Sequence, residues 1–392
     1  MLRRPPPPWA YNSSHLPVGW FGANRSGFEN EEQLARLRKY DVVLFGWQAL
    51  IEVSNYTHQA EDLVRQARRV KAHDPSQPVG IYIDGELAEP FQTAIRDAMN
   101  RPSLHRDIFL RDAEGRPFTC NVFCRSMALP HTDPRCLAYY FNWFSSDAID
   151  FYLTKFVEPI AKQPGFEAIF FDGADEWLKQ GWHTWQRASN VPPNATRAQA
   201  LSAMLKVRLA VSRLVARYGK YPIFSEHLGD TSPAEQEAIS KAMADIGFFR
   251  FYEFFSPTQQ YIEAILNQTQ RTANPVPVFC RQLVDPGKHS LVDSIAAFLV
   301  VSGTYSYYSA STGWFDSDWK WEQEYDGRYG VPLGPAVMSR GGKRYTRFYS
   351  NCTVTVDCGD AVEVEPPLDE GGATAAPGSA STSACKGSIQ FL

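Results

Sequence analysis

The chain has no run of about eighteen apolar residues, so it holds no segment able to cross a bilayer as a helix. Its first residues, MLRRPPPPWA, lack the apolar stretch at the heart of a secretory leader, and no signal peptide is expected there. Charge of one sign is also missing. The 39 Lys and Arg are interspersed with 43 Asp and Glu, which leaves no basic stripe on which a nucleic-acid backbone would sit. Histidine is scarce, at eight residues with no H-x-H pair at a strand end, and no C-x2-C pair is followed by a second Cys or His pair. The common zinc frameworks are thereby excluded, and nothing in the chain calls for another metal or a cofactor. No internal repeat of fixed period occurs.

Apolar material is plentiful. Hydrophobic residues make up 44% of the 392, and ten Trp and eighteen Tyr raise the aromatic share to 14%, enough to fill a large core and to exclude disorder for most of the chain. Rings with apolar faces and polar edges also suit the C–H faces of sugars. Six N-x-S/T sequons occur, at Asn12, Asn24, Asn55, Asn194, Asn267 and Asn351, where random placement of the Asn residues gives roughly one or two. The seven Cys (Cys120, Cys124, Cys136, Cys280, Cys352, Cys358 and Cys385) are compatible with a few disulfides. Together these point to a secretory route and a glycoprotein.

Strand-like and helix-like segments alternate along the chain, the pattern of βαβ units. Strands are expected at 16–23, 41–48, 78–86, near Asp172, and at 221–227, 246–255, 275–282 and 303–311, with an amphipathic helix over 196–219 closed by Gly219. Eight strands with intervening helices predict an α/β fold, a (β/α)8 TIM barrel over 16–336, carrying a long Cys-bearing excursion at about 88–158. GKRYTRFYSNCTVTVD predicts a hairpin turning at Ser350 and Asn351, within a small β-hairpin appendage over 337–365. The low-complexity stretch PPLDEGGATAAPGSASTSA predicts a disordered C-terminal tail over 366–392.

The run GFEAIFFDGADEW is apolar until it meets acids. A continuous apolar run reads as a strand buried on both faces, and barrel chemistry sits at the carboxyl ends of such strands. Three successive strands end this way, with Asp172, Glu226 and Glu253, and the third strand adds Asp84 and Glu86. Carboxylates gathered on one rim suit glycosidic cleavage, where one acid stays protonated and another stays ionised. Asp172 is therefore the candidate nucleophile or base and Glu226 the candidate general acid, with Glu253 as its substitute. Asp84 and Glu86 are candidate ligands for substrate hydroxyls. Asp175 and Glu176 suit the first turn of a following segment, where negative charge is favourable, and Asp175 is also a candidate substrate ligand. Candidate stacking rings are Trp47, Tyr305, Tyr307, Trp314 and Trp319, the last two in the aromatic segment 311–336.

FEAIFFDGAD, taken with EYDGRYGVPLGPA and YTRFYSNCTVTV, resembles the (β/α)8 group called hypothetical glycosyl hydrolase family fifteen, over most of Val18 to Val356. The resemblance implies a barrel that hydrolyses glycosidic bonds of a poly- or oligosaccharide, with Asp172 as the strand-four acid and 325–335 as the loop after strand eight. The chain departs from the pattern at Cys352, where a hairpin Gly is common, and in the long insertion before strand four. Two other readings use the same fold: metal-assisted hydrolysis through Asp84, Asp172, Glu226 and His227, and a carbohydrate-binding barrel without catalysis.

Overall fold

The computed structural model describes residues 7, 11–12, 14–101, 107–173, 178, 184–226, 231–243, 246–272, 275–283, 290–311, 321–364 and 382–392. Its strands, in chain order, are β1 (Gly19–Gly22), β2 (Val42–Phe45), β3 (Val79–Asp84), β4 (Leu87–Ala88), β5 (Thr119–Cys120), β6 (Ala138–Tyr140), β7 (Ala168–Asp172), β8 (Tyr221–Ser225), β9 (Phe249–Tyr252), β10 (Val278–Leu283), β11 (Tyr307–Ser311), β12 (Val337–Met338), β13 (Arg344–Phe348), β14 (Cys352–Val364) and β15 (Thr382–Phe391). Eight of them form a nearly closed parallel barrel in the order β1-β2-β3-β7-β8-β9-β10-β11, the α/β architecture expected from the alternating pattern. Among the described residues no helix is long and apolar enough to cross a membrane. The chain divides into two compact units, one comprising Ala23–Leu34 and Leu44–Phe248, the other Pro5–Gly22, Ala35–Val43 and Phe249–Leu392.

In the first unit β3, β7 and β8 pair in parallel, with Asp84 opposite Asp172 and Phe171 opposite Phe224. Every residue of β3 and β8 is buried, as is β7 up to Phe171, because helices cover the outer face of a barrel sheet and packed side chains fill the inner one. The amphipathic run after β7 forms the helix Arg197–Arg217. Thr196 and Gln199 cap its start reciprocally, and Gly219, with φ 74°, turns the chain out of its end. The excursion after β3 contains the small antiparallel sheet β4-β6-β5 and a disulfide between Cys124 and Cys136. Its tight turn is built by Asp112, whose Oδ1 accepts from the Glu114 and Arg116 amides, with Gly115 at φ 79°.

In the second unit β9, β10 and β11 pair in parallel, and a parallel bridge joins Val18 to Tyr308. The helix Leu291–Val301 follows β10 and is buried along nearly its whole length. β12, β13, β14 and β15 form an antiparallel sheet. This corrects the expectation of a hairpin followed by a disordered tail: Thr382–Phe391 is a strand, paired with β14 from Cys352–Phe391 to Val364–Thr382. Two features hold it. Cys385 is disulfide-bonded to Cys358, and Gly387 lies so close to the helix Leu291–Val301 that an added Cβ would come within 2.6 Å of the Ala296 Cβ. The remainder of the expected tail, 366–381, lies outside the described residues.

Candidate active site

β3 and β7 end in register, which brings Asp84 and Asp172 side by side at their carboxyl ends. The Asp172 carbonyl accepts from the Gly85 amide at 2.7 Å and ties the two strand ends together. Asp84 is 5% exposed and well supplied with donors. Its Oδ1 accepts from the amides of Glu86 (2.7 Å) and Leu87 (2.6 Å), and its Oδ2 from the Tyr82 hydroxyl (3.2 Å). Tyr152 donates to the Asp84 carbonyl at 2.8 Å. Asp172 is half-buried and accepts from the amide of Gly173 at 2.9 Å. Gly173 adopts φ 60°. A Cβ there would stand 3.2 Å from the Glu86 Cβ and 3.5 Å from the Asp84 Oδ1, so the glycine lets the three acids share one small space.

A fourth acid, Glu89, belongs to this group and was not read from the sequence. It is fully buried, and its Oε2 accepts from the Gln92 amide at 3.1 Å. Burial pushes its carboxyl well above the usual range, and the negative charge of Asp84 adds to the effect. Burial likewise raises the hydroxyls of Tyr82 and Tyr152. Gln92 continues inward to Gln59 at 3.0 Å, and the Gln59 amide donates to the carbonyls of Ala49, at 3.1 Å, and Trp47. A chain of buried amides thus runs from the carboxyl group to the loop after β2, where the Trp47 ring packs against Phe91 and Phe123 and is 9% exposed. Only the spacing of Glu86, Glu89 and Gln92 in ELAEPFQ hinted at this; one polar residue every three signals a helical face, not a buried network.

Glu226 follows β8 and is 1% exposed. Its Oε1 lies 3.2 Å from Nη1 of Arg208, which projects from the helix Arg197–Arg217 and lies over the Phe224 ring. The Nε and Nη2 atoms of Arg208 have no protein partner among the described residues, and the side chain lines a small cavity with Gly85, Trp143, Tyr152, Phe171 and Phe224. A buried guanidinium beside such a space suits an internal water.

In the second unit Glu253 follows β9, is 7% exposed, and lies 3.1 Å from Nη1 of the buried Arg281 on β10. Tyr307 opens β11 and is fully buried, stacked on Phe279 with centroids 5.0 Å apart. Tyr305 precedes that strand at φ 60° and rests on Tyr11. Both tyrosines stand at the amino end of β11. Asp175, Trp314, Trp319 and His227 lie outside the described residues. Among the described residues no group of three or more His, Cys, Asp or Glu is arranged to hold a metal ion.

No protein-family model and no curated protein sequence matches the chain. Solved structures resemble it in architecture. Sucrose 6F-phosphate phosphorylase from Thermoanaerobacter thermosaccharolyticum matches at 11% identity and TM-score 0.47, over 88% of this chain and 93% of its own. An alpha-amylase from Lactobacillus plantarum matches at 13% identity and TM-score 0.47, over 91% and 92%. An L-ribulose 3-epimerase matches at 11% identity and TM-score 0.39, over 80% and 91%. Likeness at this level carries no argument about the reaction.

Proposed function

We propose that the chain is a glycoside hydrolase, of the type its FEAIFFDGAD motif resembles, acting on a poly- or oligosaccharide. The observation that supports this most is the register of Asp84 and Asp172: two carboxylates at neighbouring strand ends, one buried and surrounded by donors, the other half-buried beside a left-handed glycine. The held carboxylate suits a substrate hydroxyl, and Asp172 suits attack on the anomeric carbon or activation of water. Glu226 is the proposed acid and Glu253 its substitute. Glu226 is held 3.2 Å from the Arg208 guanidinium, which fixes the direction of its carboxyl group.

The test is release of reducing ends from a panel of glycans. Asp172→Asn is expected to lower turnover by roughly a hundredfold to ten-thousandfold while the far-ultraviolet circular dichroism stays unchanged. Full activity in Asp172→Asn removes Asp172 from the reaction. Glu226→Gln and Glu253→Gln, run beside it, identify the acid. One observation favours a second reading, a carbohydrate-binding barrel without catalysis: both of those acids are engaged by buried arginines. Saturable glycan binding with no reducing ends from the wild type would establish that alternative.

A further inference from the structure

The six sequons are a motif that the barrel chemistry does not use. Their asparagines fall into two groups. Asn12, Asn55, Asn194 and Asn267 are exposed. The Oδ1 of Asn12 accepts from Ser14, and that of Asn267 from Arg271, but at none of the four does the side-chain Nδ2 donate to a protein group among the described residues. The other two are held by the fold. Asn351, though exposed, donates from Nδ2 to the Arg328 carbonyl at 3.1 Å, beside the φ 83° turn at Gly330, where an added Cβ would meet the Asn351 Cγ at 2.9 Å. Asn24 is half-buried, and its carbonyl accepts from the Leu50 amide at 2.7 Å, which fixes its backbone.

A second observation bears on where the chain folds. The two disulfides, Cys124–Cys136 and Cys358–Cys385, join residues that the fold brings together from sequence separations of 12 and 27. Such bonds persist in the oxidising compartments where N-glycans are attached.

We propose that Asn12, Asn55, Asn194 and Asn267 carry N-linked glycans and that Asn24 and Asn351 do not. The donor is a lipid-diphosphate-linked oligosaccharide. Nδ2 forms a bond to C1 of the first sugar as the bond from C1 to the phosphate oxygen breaks; the lipid diphosphate leaves with the electron pair, and one amide proton passes to the transferring enzyme. Transfer takes place on the chain before it folds, so the folded structure acts by selection. A glycan on an exposed, unengaged Nδ2 costs nothing inside the protein. On half-buried Asn24, or on Asn351, whose Nδ2 is seated against the Arg328 carbonyl at the Gly330 turn, the bulk of a sugar has to displace the groups packed there, and chains so modified are depleted from the folded pool. Asn55 and Asn194 lie in loops that follow β2 and β7, at the end of the first unit where Asp84 and Asp172 sit, so two glycans would stand near the candidate rim. The inference does not depend on catalysis by that rim.

The experiment is to direct the full chain into a eukaryotic secretory pathway and collect the secreted protein. It is then treated with peptide N-glycosidase in heavy-oxygen water, which converts each glycan-bearing Asn to labelled Asp, and its peptides are mapped by mass spectrometry. Label is expected at residues 12, 55, 194 and 267, with residues 24 and 351 left as Asn. Each of Asn12→Gln, Asn55→Gln, Asn194→Gln and Asn267→Gln should remove one step from the gel mobility ladder. Absence of label in protein whose Cys124 and Cys136 are oxidised overturns the proposal. So does predominant label at residues 24 and 351.

Discussion

Glu29 shows at the scale of one residue how burial turns a carboxyl group into a pH sensor. It is 1% exposed in the loop after β1, its two carboxyl oxygens have no hydrogen-bond partner among the described residues, and the Arg69 charge lies nearby. Burial outweighs that charge and pushes its carboxyl up to about 7 from the ordinary 4.5. Between those values the folded chain holds a proton that the unfolded chain has released. The stabilising contribution is therefore complete below about pH 4.5 and is lost as pH rises through 7, at roughly 1.4 kcal/mol per pH unit. Glu29→Gln has no proton to lose. Urea midpoints measured across this window should fall with pH more steeply in the wild type than in the variant, and parallel curves would show that Glu29 titrates normally. Glu89 is pushed in the same direction, so the comparison must be between the two proteins and not with a flat baseline. Neither acid was legible in advance. Burial of a carboxyl is decided by what packs over it from distant segments, whereas Asp84 and Asp172 stood out because each ends an apolar run.

Elements were more legible than residues. A strand buried on both faces needs no alternation, so uninterrupted apolar runs located the parallel strands: the expected 78–86 contains β3, and 221–227 contains β8. The ends ran long because apolar residues continue past the last ladder bond. At β11 this mattered, since the expected strand began at Gly303 whereas pairing begins near Tyr307, after the left-handed Tyr305. The final strand was missed because KGSIQF has little β-branched character and its place depends on β14. The helix Leu291–Val301 shows how one element is completed by another. Its last carbonyls lack intrahelical donors, and buried Arg347 on β13 supplies them, donating from Nη1 to Leu299 at 2.9 Å and to Ser302 at 2.5 Å. Tyr349 adds a bond to the Leu299 carbonyl at 2.7 Å. Arg347→Met keeps the aliphatic stem and orphans those carbonyls, a loss of about 2–4 kcal/mol. Chemical denaturation that moves by under about 0.5 kcal/mol would mean that water satisfies the carbonyls equally well.

For the molecule as a whole, the chain's stability depends on a covalent link close to its C-terminus. Cys358 and Cys385 close a segment of 27 residues, and a loop of that size removes roughly 3.5 kcal/mol of conformational freedom from the unfolded chain. The strand it secures is also held without it. The Gly387 amide donates to Asp293 Oδ1 at 2.7 Å, the Cys385 amide to the Pro257 carbonyl at 2.6 Å, and β15 pairs with β14 on both sides of a register break between Asp357 and Val362. These contacts belong to the folded state and the disulfide acts mainly on the unfolded one, so their effects should separate. In the double variant Cys358→Ser/Cys385→Ser, which leaves no unpaired thiol at the site, β15 should still form at low temperature, with slow amide exchange at residues 386–390. The melting temperature should nevertheless drop by several degrees, in line with roughly 3 kcal/mol. Fast exchange across β15 in the cold would instead mean that the disulfide holds the strand in place in the folded protein. An unchanged melting temperature would mean that β15 unfolds independently of the domain it covers.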